Sequence, residues 1–170
     1  GLFKLEDIPR YNLVNNMCWQ DYFVENTFQF LVEWCPTSLV HMDEDGWLPI
    51  HCAAQDSTIE LFRTVCEYLI QYYPTKKGIS SLFTKNNDGE TAFQLACEKF
   101  GREVVKRIVE EILTRFRVEG SPLHIVEAVV MAAMDGTVHL DCVYFLLRTE
   151  PHVWVRLLLS APHNNNNDDD

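Results

Sequence analysis

The sequence predicts an all-α fold, an α-solenoid of about four stacked helix-turn-helix repeats. Three observations predict it. A helical segment closed by proline recurs: FQFLVEWCP (28–36), CEYLIQYYP (66–74) and VYFLLRTEP (143–151) align without gaps. A turn leading into a short small-residue helix also recurs: DGWLPIHCAA (45–54) and DGETAFQLAC (88–97) align at a spacing of 43. The segments between carry the 3.6-residue apolar period of amphipathic helices.

The elements justify themselves in chain order. YNLVNNMCW (11–19) reads as a first helix and FQFLVEWCP as the second helix of a degenerate N-terminal repeat or cap, residues 1–42. Residues 43–85 form the next unit. Asp45 and Gly46 open its turn, because Asp bonds the local backbone and Gly tolerates positive φ. Pro49 suits the first turn of a helix, where its missing N–H costs nothing. Ala53 and Ala54 are small, as close helix contact requires. In IELFRTVCEYLIQYY the apolar side carries Ile59, Phe62, Val65, Cys66, Leu69 and Tyr73, with Glu60, Arg63, Glu67 and Gln71 opposite. The segment PTKKGISSLFTKNNDG (74–89) reads as a loop. Residues 86–118 repeat the plan: Asp88 and Gly89 turn the chain, Thr91 caps the next helix, and Ala96 and Cys97 pack.

In REVVKRIVEEILTRF the apolar set is Val104, Val105, Ile108, Val109, Ile112 and Phe116. Glu103–Arg107, Lys106–Glu110 and Arg107–Glu111 are i,i+4 charge pairs, each stabilising by a few tenths of a kcal/mol. Residues 119–160 read as a degenerate C-terminal unit. The tail 161–170, ending HNNNNDDD, has too little apolar surface to order and reads as disordered. No single helix pair can bury its apolar stripe alone, so the units stack.

Composition bounds the function. With 170 residues and 47% hydrophobic content, the chain can bury a sizeable core without covalent staples. A net charge of −11, with the 14 basic residues scattered, argues against nucleic acid, since phosphate recognition needs clustered Lys and Arg. No apolar run reaches the roughly 18–20 residues that cross a bilayer. Six cysteines lie in or beside apolar stretches and none forms a CxxC pair, which favours buried free thiols in a reducing compartment. The expectation is a cytoplasmic, monomeric module without a cofactor.

These residues resemble a known family. LPIHCAA (48–54), after DEDG, is similar to the TPLHxAA signature and D-x-D-G turn of ankyrin repeats. TAFQLAC (91–97), after NNDG, is a looser copy with Gln94 for the histidine and Ala92 for the proline. SPLH (121–124), AAMDG (132–136) and HLDCVYFLL (139–147) resemble parts of a further copy. The units exceed the family's usual period of about 33 residues.

The resemblance implies a protein-protein interaction scaffold and no enzyme. It implies structural roles for Gly46, Pro49, His51, Ala53, Ala54, Gly89, Thr91 and Ala96. The ring of His51 would bond backbone between adjacent turns, and Cys52 would be an apolar contact. It places partner contacts on the turns and the ends of the first helices: Glu44, Asp45, Trp47, Gln55, Asp56, Asn87, Asp88, Glu90, Glu98 and Lys99. Trp47 can alternatively pack on the neighbouring turn. Trp19, Trp34 and Trp154 sit at helix ends as core or cap residues.

Competing chemistry is weighed on the same residues. His51 and Cys52 could belong to a metal site or an activated thiol, but no third ligand lies at zinc spacing. His139 and Cys142 could pair as base and thiol only if their helix already begins by residue 139. Asp43, Glu44 and Asp45 do not make a calcium loop, since Leu48 and Ala54 fall where Gly and Glu are needed. No P-loop, GxGxxG, GxSxG or HExxH occurs. A Cys/His metal or thiol protein and a structural spacer in a longer chain stand as the alternatives to an acidic concave surface that docks a protein partner.

Overall fold

The computed structural model describes residues 3–19, 23–74 and 76–118. All regular structure there is helical. The elements run α1 (Asp7–Arg10), α2 (Leu13–Trp19), α3 (Glu25–Trp34), a 3-10 helix (Pro36–Val40), α4 (Pro49–Asp56), α5 (Ile59–Tyr72), α6 (Lys76–Ser81), α7 (Ala92–Phe100) and α8 (Arg102–Val118). The C-terminal repeat assigned to 119–160, with His139 and Cys142, and the tail 161–170 lie outside the described residues.

The layering follows from side-chain size. The short helices α2, α4 and α7 form one layer, with α4 packed between the other two. Cys52, Ala53, Ala54, Ala92 and Ala96 are wholly inaccessible, because residues this small let the helices of the layer meet closely. The longer α5 and α8 form a second layer and pack on each other and on their own inner helices. Their buried faces are wider than one stripe. α5 buries Leu61, Phe62, Val65, Cys66, Leu69 and Ile70, and α8 buries Val105, Ile108, Val109, Ile112 and Leu113. Leu61, Ile70 and Leu113 lie beyond the apolar sets read from periodicity, because each outer helix meets more than one neighbour.

Helix ends obey local chemistry. Pro49 stands in the first turn of α4. Thr91 Oγ1 accepts from Gln94 N at 3.2 Å, and Gln94 Oε1 accepts from Thr91 N at 3.1 Å, a reciprocal box that satisfies two otherwise orphaned donors. Thr58 Oγ1 likewise accepts from Leu61 N at the start of α5. α3 and α5 stop two residues before Pro36 and Pro74.

Three readings change. The segment 74–89 is not simply a loop. It holds α6, and Ile79, Leu82 and Phe83 are buried around it against the body of the array. Lys and Gly dominate the start of that segment and masked its apolar spacing. The second change concerns charge pairing on α8: Lys106 pairs back to Glu103 at 3.5 Å, while Glu111 reaches Arg63 on α5. Arg115 meets Glu67 at 3.2 Å, so the outer pairs join two repeats rather than successive turns of one helix. Such exposed pairs stabilise by about 0.2–1 kcal/mol each, less than burial of one Phe62 ring at roughly 1.5–3 kcal/mol. The third concerns Trp19 and Trp34. They are 40% and 41% exposed and are not core residues. Trp34 meets Phe30, also exposed, at 5.5 Å and Phe3 at 5.6 Å between ring centroids, tilted by 51° and 56°. Tyr68, the residue matching Phe30 in the next repeat, instead meets Phe28 of α3 edge-on at 5.5 Å.

Two turn glycines adopt left-handed φ, Gly46 at 76° and Gly89 at 82°, but only one is crowded. A Cβ on Gly46 would stand 2.7 Å from Asn87 Oδ1 and 3.1 Å from Asn87 N, whereas one on Gly89 would meet nothing within 4 Å. Gly89→Ala should therefore cost only the left-handed penalty, about 1 kcal/mol, and Gly46→Ala at least about 2 kcal/mol. Urea unfolding of the two variants measures the difference, and equal losses would disprove it.

Candidate protein-interaction surface

Two turns project ahead of the short helices, and they are built alike. In the first, Asp43 N donates to Trp47 O at 3.0 Å, Gly46 N to Asp43 O at 3.1 Å, and Trp47 N to Asp43 Oδ1 at 2.8 Å. In the second, Asn86 N donates to Glu90 O at 2.9 Å, Gly89 N to Asn86 O at 3.1 Å, and Glu90 N to Asn86 Oδ1 at 2.8 Å. An Asp or Asn at this position can accept from the backbone ahead and so closes the turn. The Asp43 carboxylate, which also accepts from Asp45 N, is thereby engaged by backbone.

The turns lock together side by side. Asn87 N donates to Asp45 O at 3.2 Å, and Asn87 Nδ2 to Glu44 O at 3.3 Å. At the far end of the short helices, Lys99 Nζ donates to Gln55 O at 2.7 Å, placing a cation on a carbonyl in the last turn of α4. The structure thus brings Glu44, Asp45, Asn87 and Asp88 to one edge, all exposed, with Glu90 half-buried beside them. It brings Gln55, Asp56, Glu98 and Lys99, also exposed, to the opposite ends of α4 and α7.

His51 is fully buried between the two turns. Its Nδ1 accepts from Leu48 N at 3.1 Å, and its Nε2 lies 2.9 Å from Thr84 O. An accepting Nδ1 requires the proton on Nε2, so the ring is neutral and donates to Thr84 O. Burial lowers its pKa below the ordinary 6.5, against the opposing pull of the Thr84 carbonyl and the Asp43 charge. The ring therefore ties the start of its own helix to Thr84, just ahead of the second turn.

A residue without motif value does the same one repeat earlier. Asn15 is buried, and its Nδ2 donates to Trp47 O at 2.8 Å. Asn15, His51 and Gln94 each occupy the third position of their short helix. The only sequence signal for Asn15 was its place, one period before His51.

Trp47 is half-buried. Its indole lies against Trp19 with ring centroids 5.2 Å apart, and edge-on to His51 at 6.0 Å. Both readings of Trp47, packing and surface, thus bear on the same side chain: it rests on the neighbouring helix while keeping an accessible edge.

Thiol and metal chemistry fare poorly at this site. Burial, then the Asp43 charge, push the Cys52 thiol up to about 12, with lesser opposing pulls from Trp19 and Asn15. Burial also raises Cys18 and Cys66. An activated thiol needs the opposite shift. Among the described residues no group of three or more His, Cys, Asp or Glu could hold a metal ion. Among them, too, no helix is long and apolar enough to cross a membrane.

Stacked helix pairs, cross-bonded turns and a buried imidazole bridging successive units define a repeat solenoid whose turns are its presented edge. The family model described as ankyrin repeats (3 copies) matches residues 17–119. The chain belongs to the ankyrin-repeat family, whose members are generally protein-protein interaction modules. No curated protein and no solved structure gives a significant match.

Because the native His51 pKa is lowered, the unfolded state binds more protons over the interval beneath 6.5. Stability is then full above about pH 6.5 and falls as pH drops through that interval to the native value. His51→Gln, which imitates Gln94, should flatten this part of the profile. His51→Ala strands a buried N–H and carbonyl and should cost about 2 kcal/mol or more at pH 7.5. Melting followed by circular dichroism between pH 7.5 and 5 checks both, and an unchanged slope in His51→Gln refutes the assignment.

Proposed function

We propose that this chain is a non-enzymatic interaction module whose concave side, made of the turns and short helices, docks a protein segment carrying basic and apolar groups. The observation that carries the reading is the charge left over after the array has bonded itself. The exposed side chains Glu44, Asp45, Asp88, Asp56 and Glu98 are acidic. Lys99, the base among the proposed contacts, already donates to Gln55 O. Bonds within each turn and two bonds between them brace the backbone, so these side chains project from a held frame and a partner meets little ordering cost there. Acidic focusing accelerates encounter with a basic partner and weakens with salt.

The contact residues proposed on this surface are Glu44, Asp45, Trp47, Gln55, Asp56, Asn87, Asp88, Glu90, Glu98 and Lys99, within a cytoplasmic, monomeric module that needs no cofactor. Asp45→Lys/Asp88→Lys/Glu98→Lys changes exposed side chains whose own carboxylates hold no turn together. Affinity purification from the native cell identifies partners of the wild-type chain, and stopped-flow association then compares the two proteins. The triple variant should associate at least about tenfold more slowly at low salt, with its melting temperature nearly unchanged. Equal rates, or a wild-type rate indifferent to salt, would overturn the acidic docking surface.

A further inference from the structure

We propose that the Trp19–Trp47 pair is the seat of a partner arginine, the anchor by which a basic segment engages the concave side. The inference rests on the acidic docking surface proposed above and names the group that surface recognises. Trp19 closes α2 and Trp47 heads the turn before α4, so the pair spans two repeats on the layer of short helices. Trp19 is 40% exposed, and Trp47 beside it is half-buried, so the pair keeps indole surface open to solvent. The ring centroids lie 5.2 Å apart, tilted by 40°, so each indole braces the other.

The support is rigid. The Trp47 backbone is held on both sides: its amide N–H donates to Asp43 Oδ1 and its carbonyl accepts from Asn15 Nδ2, both at 2.8 Å. A preorganised aromatic platform loses little entropy on binding, which is what a hot spot needs.

Charge selects the occupant. Asp43 anchors the same turn, and Glu44 and Asp45 are exposed on it. The His51 ring beneath Trp47 is neutral and does not repel a cation. An anionic or plain hydrocarbon side chain would forfeit this field. A guanidinium stacks flat on an indole face and keeps its N–H groups free for carboxylates at the edge, which an ammonium does less well.

The probe is the peptide acetyl-Leu-Arg-Gly-Leu-Arg-Gly-amide and its twin with citrulline, which is isosteric but uncharged. Indole N–H resonances and backbone amides of the folded chain are followed by heteronuclear NMR. The arginine peptide should move the Trp19 and Trp47 indole signals, leave that of Trp34 in place, and bind about fivefold or more tightly than the citrulline twin. Trp19→Leu should abolish the preference, and Trp19→Phe should keep part of it if the leucine variant is destabilised. Equal binding of the two peptides overturns the arginine seat. So do shifts at the Asp45 and Asp88 amides without the two indoles, in which case the acidic surface survives. If no residue of either set shifts at millimolar peptide, both readings fall.

Discussion

One constraint governs the rest: the buried polar side chains in the first turns of α2 and α4 must find backbone partners 32 and 33 residues further along the chain. Asn15 finds Trp47 O, and His51 finds Thr84 O. Both are almost inaccessible to water, so an unmet bond would be costly and could not be repaired by solvent. The van der Waals stacking of neighbouring units is tolerant of small slips; these directional bonds are not. They set the register in which one turn stands beside the next. Once His51 is in place, Asp45 O and Glu44 O stand where Asn87 can reach them.

The two layers divide the work differently. The inner layer works by smallness: Cys52, Ala53, Ala54 and Ala96 admit close approach and leave no room for enlargement. The outer layer works by area, through Phe62, Leu69, Ile108, Ile112 and their neighbours. Arg63, Glu67, Glu111 and Arg115 then bridge α5 and α8 across the exposed rim. Those pairs add orientation more than stability, since water screens them. The docking surface we propose uses what neither layer needs, namely the tips of the turns and the ends of the short helices.

Much of this was legible because it is local. The left-handed turn glycines, Pro49 in a first turn, the Thr91 cap and the amphipathic stripes of α5 and α8 depend on neighbours in the chain and appear as their patterns imply, but the side chains that close the turns are Asp43 and Asn86 rather than Asp45 and Asp88. The LPIHCAA resemblance also led to the right family. Asn15 escaped because an Asn in a helix has many uses, and only its distance from His51 marks it. α6 escaped because Ile79, Leu82 and Phe83 follow a stretch of Lys, Gly and Ser whose propensities favour a loop. Trp19 and Trp34 do close their helices, but both are exposed rather than core, which position at a helix end cannot decide.

The sequence by itself determined the helical repeat and the family to which it belongs. Local propensity and periodicity suffice for those, since each is settled within a few residues along the chain. Only the tertiary structure decided which carbonyl His51 meets, that Trp47 leans on Trp19, and that Glu111 pairs with Arg63. These contacts join residues about 28 to 48 positions apart, and no local rule specifies them. Their geometry follows from how closely two short helices can stack, which is set by the size of side chains on both at once.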